Sequence, residues 1–185
     1  MYTPVTTLRD IKKFLEAKLK EHNYTLQAAP RDGTYDHRED KQIIPPVRIA
    51  AMPHENFAYM PVGDLFPSGP YILVSMDKSS TAADERSMDV LIQCCVFSTA
   101  NYAKQDGSES NVPDELAEID LLNLLEWIQQ RIIEAHKIGG ATVEYPIQMG
   151  SYGSKTYTYP KAYGYLSFSV NLIQPGISRG WADKY

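Results

Sequence analysis

Four histidines and one charged run are the residues whose chemistry could support catalysis. The histidines are His22, His37, His54 and His136. The run Asp36–Asp40 holds one of them between carboxylates, an arrangement that could bind a metal ion or transfer protons. However, the histidines lie in unrelated contexts, and the run belongs to a polar stretch typical of a solvated loop. We therefore predict no catalytic residue and no metal site, and keep a cytosolic enzyme with an unrecognised site as an alternative.

The two cysteines, Cys94 and Cys95, are adjacent in the sequence. Neighbouring residues of a strand point to opposite faces of the sheet, so a disulfide between them would need a distorted backbone. Two cysteines without a histidine nearby in the sequence do not supply the four ligands of a zinc site. We therefore expect ordinary thiols that are buried or half-buried.

The glycine-rich segment Gly150–Ser154 could cradle a phosphate only between a strand and the N-terminus of a helix. The following residues, Lys155–Pro160, do not have a helical pattern, so we predict no cofactor site. The aromatic side chains from Tyr152 to Tyr165 could instead line a pocket. A small-ligand or peptide-binding α+β module is therefore a second alternative.

The composition limits the classes of function. The chain of 185 residues has a net charge of −5 and an isoelectric point of about 5.4, whereas nucleic-acid-binding proteins concentrate Lys and Arg. No apolar run approaches the roughly 20 residues of a membrane span. The start Met1–Pro4 lacks the basic and apolar regions of a signal peptide, so we expect synthesis in the cytoplasm. The length favours a single domain covering residues 1–185.

Two helices are predicted from apolar spacing. The longer one covers Pro113–Ile138, with Gly139 or Gly140 supplying the left-handed residue that ends it. A shorter amphipathic helix follows Thr7, its predicted N-cap, and ends near His22-Asn23. The expected core-facing residues of the long helix are Ala117, Leu121, Leu124, Leu125, Ile128, Ile132 and Ala135.

A second apolar set lies along the back of the long helix. Leu116, Trp127 and Ile138 are 11 residues apart and therefore align, with Ile119 and Ile133 nearby. One interpretation is that the N-terminal helix or a loop covers this set within one subunit. The other is a subunit interface, since buried aromatic residues anchor interfaces and a solvent-exposed tryptophan row is unfavourable.

The segment from residue 23 to residue 69 contains six prolines and has no long periodic pattern. Proline removes hydrogen-bond donors and breaks helices, so we predict an extended loop or arm with a short strand at Val47–Ala51. The aromatic residues Phe57, Tyr59 and Phe66 would give such an arm something to bury. We expect them to lie against a neighbouring subunit.

Four strands are predicted from alternating or compact apolar runs, and residues 174–185 form a C-terminal tail. The strands are Pro70–Met76, Met88–Ser98, Ala141–Met149 and Tyr163–Ile173, and residues 77–87 are expected to be an exposed hairpin loop. The third strand is interrupted at Pro146, which favours an edge position. These elements predict an α+β fold: a four-stranded, largely antiparallel sheet packed on the long helix and the N-terminal helix.

The order of these elements resembles the tail terminator and neck (head–tail joining) proteins of tailed bacteriophages. The resemblance covers most of the chain: the helix Leu8–Leu19, the proline-rich run into Pro70–Val74, the strand that feeds the long helix, and the closing strand. Members of this group look like small α+β subunits without catalytic residues.

The resemblance implies a structural virion protein of the tail or neck, present in the host cytoplasm during assembly. Its subunits would form a homo-oligomeric ring, most simply a hexamer, that caps the tail tube. Its partners would be the tail tube protein and head connector proteins, with no membrane. DNA would pass through the ring without specific binding.

Overall fold

The computed structural model describes residues 3–29, 42–51, 69–81, 86–97, 115–152 and 161–172, with residues 115 and 116 described by their backbone alone. These residues form two helices and nine strands in a mixed α+β arrangement. The elements are α1 (Pro4–Glu21), β1 (Leu26–Gln27), β2 (Gln42–Ile43), β3 (Val47–Ile49), β4 (Tyr71–Thr81), β5 (Arg86–Phe97), α2 (Glu115–Ala135), β6 (Lys137–Ile138), β7 (Ala141–Val143), β8 (Gln148–Ser151) and β9 (Lys161–Leu172).

The main sheet has seven strands among the described residues, in the order β3-β4-β5-β9-β7-β6, with β8 also pairing with β9. All pairs are antiparallel except β3 with β4. The sheet is curled, since α1 contacts both β3 and β6 at opposite ends of the strand order. The predicted α+β class is confirmed, but the predicted count of four strands is wrong. The additional strands are two to four residues long, too short to show a period of two.

The centre of the sheet is formed by β4, β5 and β9. Strand β5 pairs with β9 from Ser87↔Asn171 to Phe97↔Lys161, and with β4 from Thr81↔Arg86 to Tyr71↔Cys95. The alternating apolar residues of β5 and β9 on the inner face of the sheet are buried: Met88, Val90, Ile92, Cys94, Val96, Leu166, Phe168, Val170 and Leu172. The predicted loop over residues 77–87 is wrong for most of its length, because strand pairing continues to Thr81↔Arg86 past a bulge between Met76 and Lys78.

Helix α1 begins four residues earlier than predicted. Thr3 is its N-cap, Pro4 lies in the first turn, and Thr3 and Thr6 form a capping box. Thr7, the predicted cap, is buried in the first turn, and its hydroxyl donates a hydrogen bond to the carbonyl of Thr3 at 3.1 Å. The predicted end is confirmed, since the helix ends at Glu21 with His22 as its C-cap.

Helix α2 contributes the predicted face to the core. Of the seven predicted core-facing residues, Ala135 is partly buried and the other six are buried. The helix ends at Ala135 rather than Ile138, because His136 adopts the left-handed conformation with φ of 51°. Gly139, with φ of 59°, instead turns the chain between β6 and β7. The predicted start at Pro113 lies outside the described residues.

A glycine sets the distance between α2 and the sheet. A Cβ atom on Gly164 would lie 2.8 Å from the carbonyl oxygen of Gly150 and 2.8 Å from Leu125 Cδ1. Real Cβ atoms do not approach other atoms so closely, so only glycine allows α2 to pack directly on β9.

The remaining predicted segments are partly described. The strand predicted at Val47–Ala51 is confirmed as β3 (Val47–Ile49), parallel to β4. The predicted interruption at Pro146 is confirmed, because it separates β7 from β8. In the predicted loop or arm, residues 23–29 and 42–51 include three short strands. Residues 30–41, 52–68 and the tail from 174 to 185 lie outside the described part.

Candidate functional site

The two described histidines, the residues most suited to catalysis, make contacts that stabilise the fold. His22 packs edge-on against Trp127 with ring centroids 5.8 Å apart, and His136 Nδ1 lies 3.1 Å from the hydroxyl of Tyr145. Within residues 3–29, 42–51, 69–81, 86–97, 115–152 and 161–172, no group of three or more metal-ligating side chains comes together. The other two histidines, His37 and His54, and the run Asp36–Asp40 lie outside these ranges.

The cysteines are buried free thiols, as predicted. Cys94 belongs to the core under the helices, whereas Cys95 lies on the other face of the sheet with Tyr71 and Leu73. Burial raises the pKa of Cys94, and it raises the pKa of Cys95 to about 11, although the nearby Lys161 charge opposes that shift. Because the thiolate is the nucleophilic form, neither cysteine is activated for covalent chemistry at neutral pH.

Trp127 is covered within the chain. It is half-buried against the core, and its ring centroid lies 4.9 Å from that of Tyr24, which follows α1. The guanidinium carbon of Arg131 lies 6.0 Å from the same ring centroid. These contacts agree with the alternative in which the N-terminal region covers the predicted apolar set.

The other predicted interface residues divide into two groups. Ile138 is only 3% exposed and belongs to the core, so a subunit interface could use it only by opening the fold. The side chain of Leu116 lies outside the described part of the chain, as do Phe57, Tyr59 and Phe66. The burial of Ile138 therefore argues against a role for this residue in a subunit interface.

A row of exposed aliphatic side chains runs along α2 opposite the core; we call it the α2 apolar row. It consists of Ile119, Leu122 and Ile133, which are 47%, 41% and 38% exposed. Exposed carboxylates, Glu126 and Glu134, lie among and beside these residues. Ile119 and Ile133 lie near the second apolar set predicted from the sequence, whereas Leu122 was not part of that prediction, although helical periodicity puts all three on one face.

The outer face of α1 is basic. Two of its lysines are paired within the helix, Lys12 with Glu16 at 3.7 Å and Lys18 with Glu21 at 2.7 Å. Three other cationic side chains are exposed and form no ion pair with described residues. Together with Val5 and Ala17 they make a continuous helical face, the α1 basic row: Val5, Arg9, Lys13, Ala17 and Lys20.

The outer face of the sheet carries a polar aromatic cluster. The rings of Tyr152 and Tyr165 lie 5.3 Å apart, and Gln93 donates a hydrogen bond to the hydroxyl of Tyr152 at 3.0 Å. Gln93 is one of the few buried polar side chains of the described chain. The structure thus brings together the two ends of the predicted aromatic segment, while residues 153–160 between them lie outside the described ranges.

The sequence was compared with protein-family models and with curated proteins. No protein-family model matches the sequence, and no curated protein matches it either. Of the two helices that the structure describes, neither combines the length and apolar character needed to cross a membrane.

Proposed function

We propose that the chain is a structural virion protein, a tail terminator or neck subunit whose copies form a ring at the end of the tail tube and join it to the head. The ring is a homo-oligomer of six copies that binds the tail tube protein on one side and head connector proteins on the other. DNA passes through it without specific binding. The subunit works in the tail of the virion and reaches it from the host cytoplasm.

The observation that carries this proposal is the α2 apolar row. Ile119, Leu122 and Ile133 lie on one helix face and are all more than one-third exposed. The core uses the opposite face of α2, so these side chains contribute little to the fold of a single chain. Aliphatic side chains aligned on one exposed face are typical of surfaces that other proteins cover. The resemblance in element order supplies the identity of the particle.

The solution mass of the purified chain tests the proposal. A hexamer has about six times the chain mass of 20.9 kDa, and negative-stain images should show closed rings. Ile133→Ser should weaken assembly without lowering the midpoint of thermal unfolding. The matched control is Ile49→Ser, because Ile49 on β3 is 42% exposed but lies away from α2. A chain that stays monomeric at all concentrations, alone and with tail tubes, would contradict the proposal.

The polar aromatic cluster favours a second candidate, a small-ligand or peptide-binding module. A buried glutamine that orients a tyrosine hydroxyl beside a second ring is the type of polar contact that fixes a ligand in an aromatic site. Thermal-shift screening of the monomeric chain against short peptides and aromatic compounds tests this candidate. A hit should be lost in Gln93→Leu and kept in Thr142→Ala, an exposed substitution elsewhere on the sheet.

A further inference from the structure

The α2 apolar row and the α1 basic row have similar dimensions. From Ile119 to Ile133 the first row spans 14 residues, and from Val5 to Lys20 the second spans 15. At about 1.5 Å per residue the rows are roughly 21 and 22 Å long. Each follows one face of its helix, so one could lie along the other over its whole length.

The two rows also have opposite charge. In the α1 basic row, Arg9, Lys13 and Lys20 are exposed, and two acidic residues of α1, Glu16 and Glu21, already pair with Lys12 and Lys18. Among the described side chains of α2, the exposed charged ones are acidic, Glu126 and Glu134. Among the described residues, Glu126 forms no ion pair, and Glu134 forms one, with Arg131 at 2.9 Å. Opposite charges on two surfaces favour their association and fix its register.

We propose that the α2 apolar row of one copy packs against the α1 basic row of a second copy of this chain. This inference rests on the proposed ring and names the surfaces that would meet in it. The second copy is chosen as the occupant because its own α1 supplies a surface of matching length and complementary charge.

One register of the two rows satisfies both kinds of contact. With the helices parallel, Val5 faces Ile119 and Leu122, Lys13 faces Glu126, and Ala17 faces Ile133. Lys20 then lies beside Glu134. In the antiparallel arrangement Lys20 would meet Ile119 instead of Glu134, so one of the two contacts between opposite charges would be lost. The parallel arrangement is therefore the one that we propose.

A contact between two different surfaces cannot be completed by two copies that use it once. The first copy still presents a free α1 row and the last a free α2 row, so association continues until the chain of copies closes. This is the kind of interface from which a cyclic assembly is built. The inference thus accounts for a ring with a single type of contact.

A charge exchange tests the pairing directly. Lys13→Glu and Glu126→Lys should each raise the concentration at which the purified chain assembles by about tenfold, because each puts like charges together. The double variant Lys13→Glu/Glu126→Lys should assemble at nearly the original concentration. Lys78→Glu is the matched control, since Lys78 is exposed on β4 and lies in neither row. Native mass spectrometry measures assembly, and circular dichroism verifies folding.

The outcomes separate this inference from the proposed function. Recovery in the double variant supports the pairing. Rings that form equally well in all the variants overturn the pairing and leave the proposed function standing. An assembly that stops at two copies overturns the ring, while the charge exchange still shows whether the rows meet. A chain that never associates overturns both.

Discussion

At the scale of single residues, Trp127 was a candidate for a subunit interface in the sequence but packs within the chain in the structure. Its ring lies against Tyr24, His22 and Arg131, so it attaches the end of α1 to α2. Periodicity placed Trp127 correctly on the back of the helix. It could not show that the residues after α1 return to cover it, because that contact joins positions about a hundred residues apart.

Replacing Trp127 should therefore destabilise the fold. Trp127→Ser removes the ring contacts with Tyr24 and His22 and should lower the free energy of unfolding by about 2 to 3 kcal/mol, somewhat less than truncation of a fully buried aromatic side chain. Trp127→Phe keeps an aromatic ring in place and should lose less than half as much. Urea unfolding followed by circular dichroism measures both. If Trp127→Ser were as stable as the unaltered chain but failed to assemble, the interpretation of Trp127 as an interface residue would be supported instead.

The raised pKa of Tyr24 makes the stability of the fold depend on pH. Burial, aided by the Asp120 carboxylate, raises the pKa of Tyr24 from 10.0 to about 12. The folded state then holds the phenol proton more tightly than the unfolded state, so this stabilisation is complete below pH 10 and is lost as the pH rises toward 12.

In Tyr24→Phe the unfolding free energy should consequently fall less steeply between pH 10 and 12. Tyr145→Phe is the control, because Tyr145 is 54% exposed. Urea unfolding at pH 9, 10, 11 and 12 gives the slopes. Parallel curves for Tyr24→Phe and the unaltered chain would show that Tyr24 does not contribute to this pH dependence.

At the scale of elements, long periodic segments were predictable, whereas the two-residue strands β1, β2 and β6 were not. The inner faces of α2, β5 and β9 follow from apolar spacing, since each repeats over at least ten residues. Strand β6 has only two residues, and it exists because it extends an existing sheet. The end of α2 was misplaced because His136, rather than a glycine, adopts the left-handed conformation.

The two candidate surfaces on α1 and α2 were only partly predictable from the sequence. Helical periodicity can show that Ile119, Leu122 and Ile133 share a face, but the exposure of that face depends on what else packs there. The basic character of α1 was visible in the sequence. Which of its cations remain unpaired became clear only from the geometry of Lys12 with Glu16 and Lys18 with Glu21.

The capping box at the N-terminus of α1 should contribute to stability. The Thr3 hydroxyl accepts the backbone N–H of Thr6 at 3.2 Å, and the Thr6 hydroxyl accepts that of Thr3 at 2.7 Å. Thr3→Ala should lower the free energy of unfolding by about 1 kcal/mol, whereas Thr3→Ser should be nearly neutral. Thr25→Ala, in an exposed position outside the helix, is the control for urea unfolding. Loss in the serine variant equal to that in alanine would argue against the capping role.

At the scale of the whole molecule, charge determines how the assembly treats DNA. The net charge of −5 becomes about −30 over six copies. Neutralising phosphates requires accessible Lys and Arg, since binding is driven by release of counterions. In the proposed ring, the α1 basic row is covered by the α2 row of the neighbouring copy, which removes the exposed cations Arg9, Lys13 and Lys20 from solvent. The lumen should then be neutral or acidic.

We therefore expect no measurable binding of duplex DNA at physiological salt. Fluorescence anisotropy with a labelled duplex of about 20 base pairs measures this for the assembled chain. The variant Glu126→Lys, kept below its raised assembly concentration so that its basic row is uncovered, serves as a comparison and should bind weakly at low salt. Micromolar, salt-sensitive affinity of the assembled ring would contradict the expectation and favour a nucleic-acid-binding function.

The two buried thiols have a consequence for the lifetime of the proposed particle. A virion leaves the reducing cytoplasm and persists in oxidising surroundings, where exposed cysteines form disulfides. Cys94 and Cys95 lie on opposite faces of the sheet and are both buried, so neither can reach a cysteine of another copy. The cohesion of the ring would thus be entirely non-covalent, and it would be the same before and after release from the host.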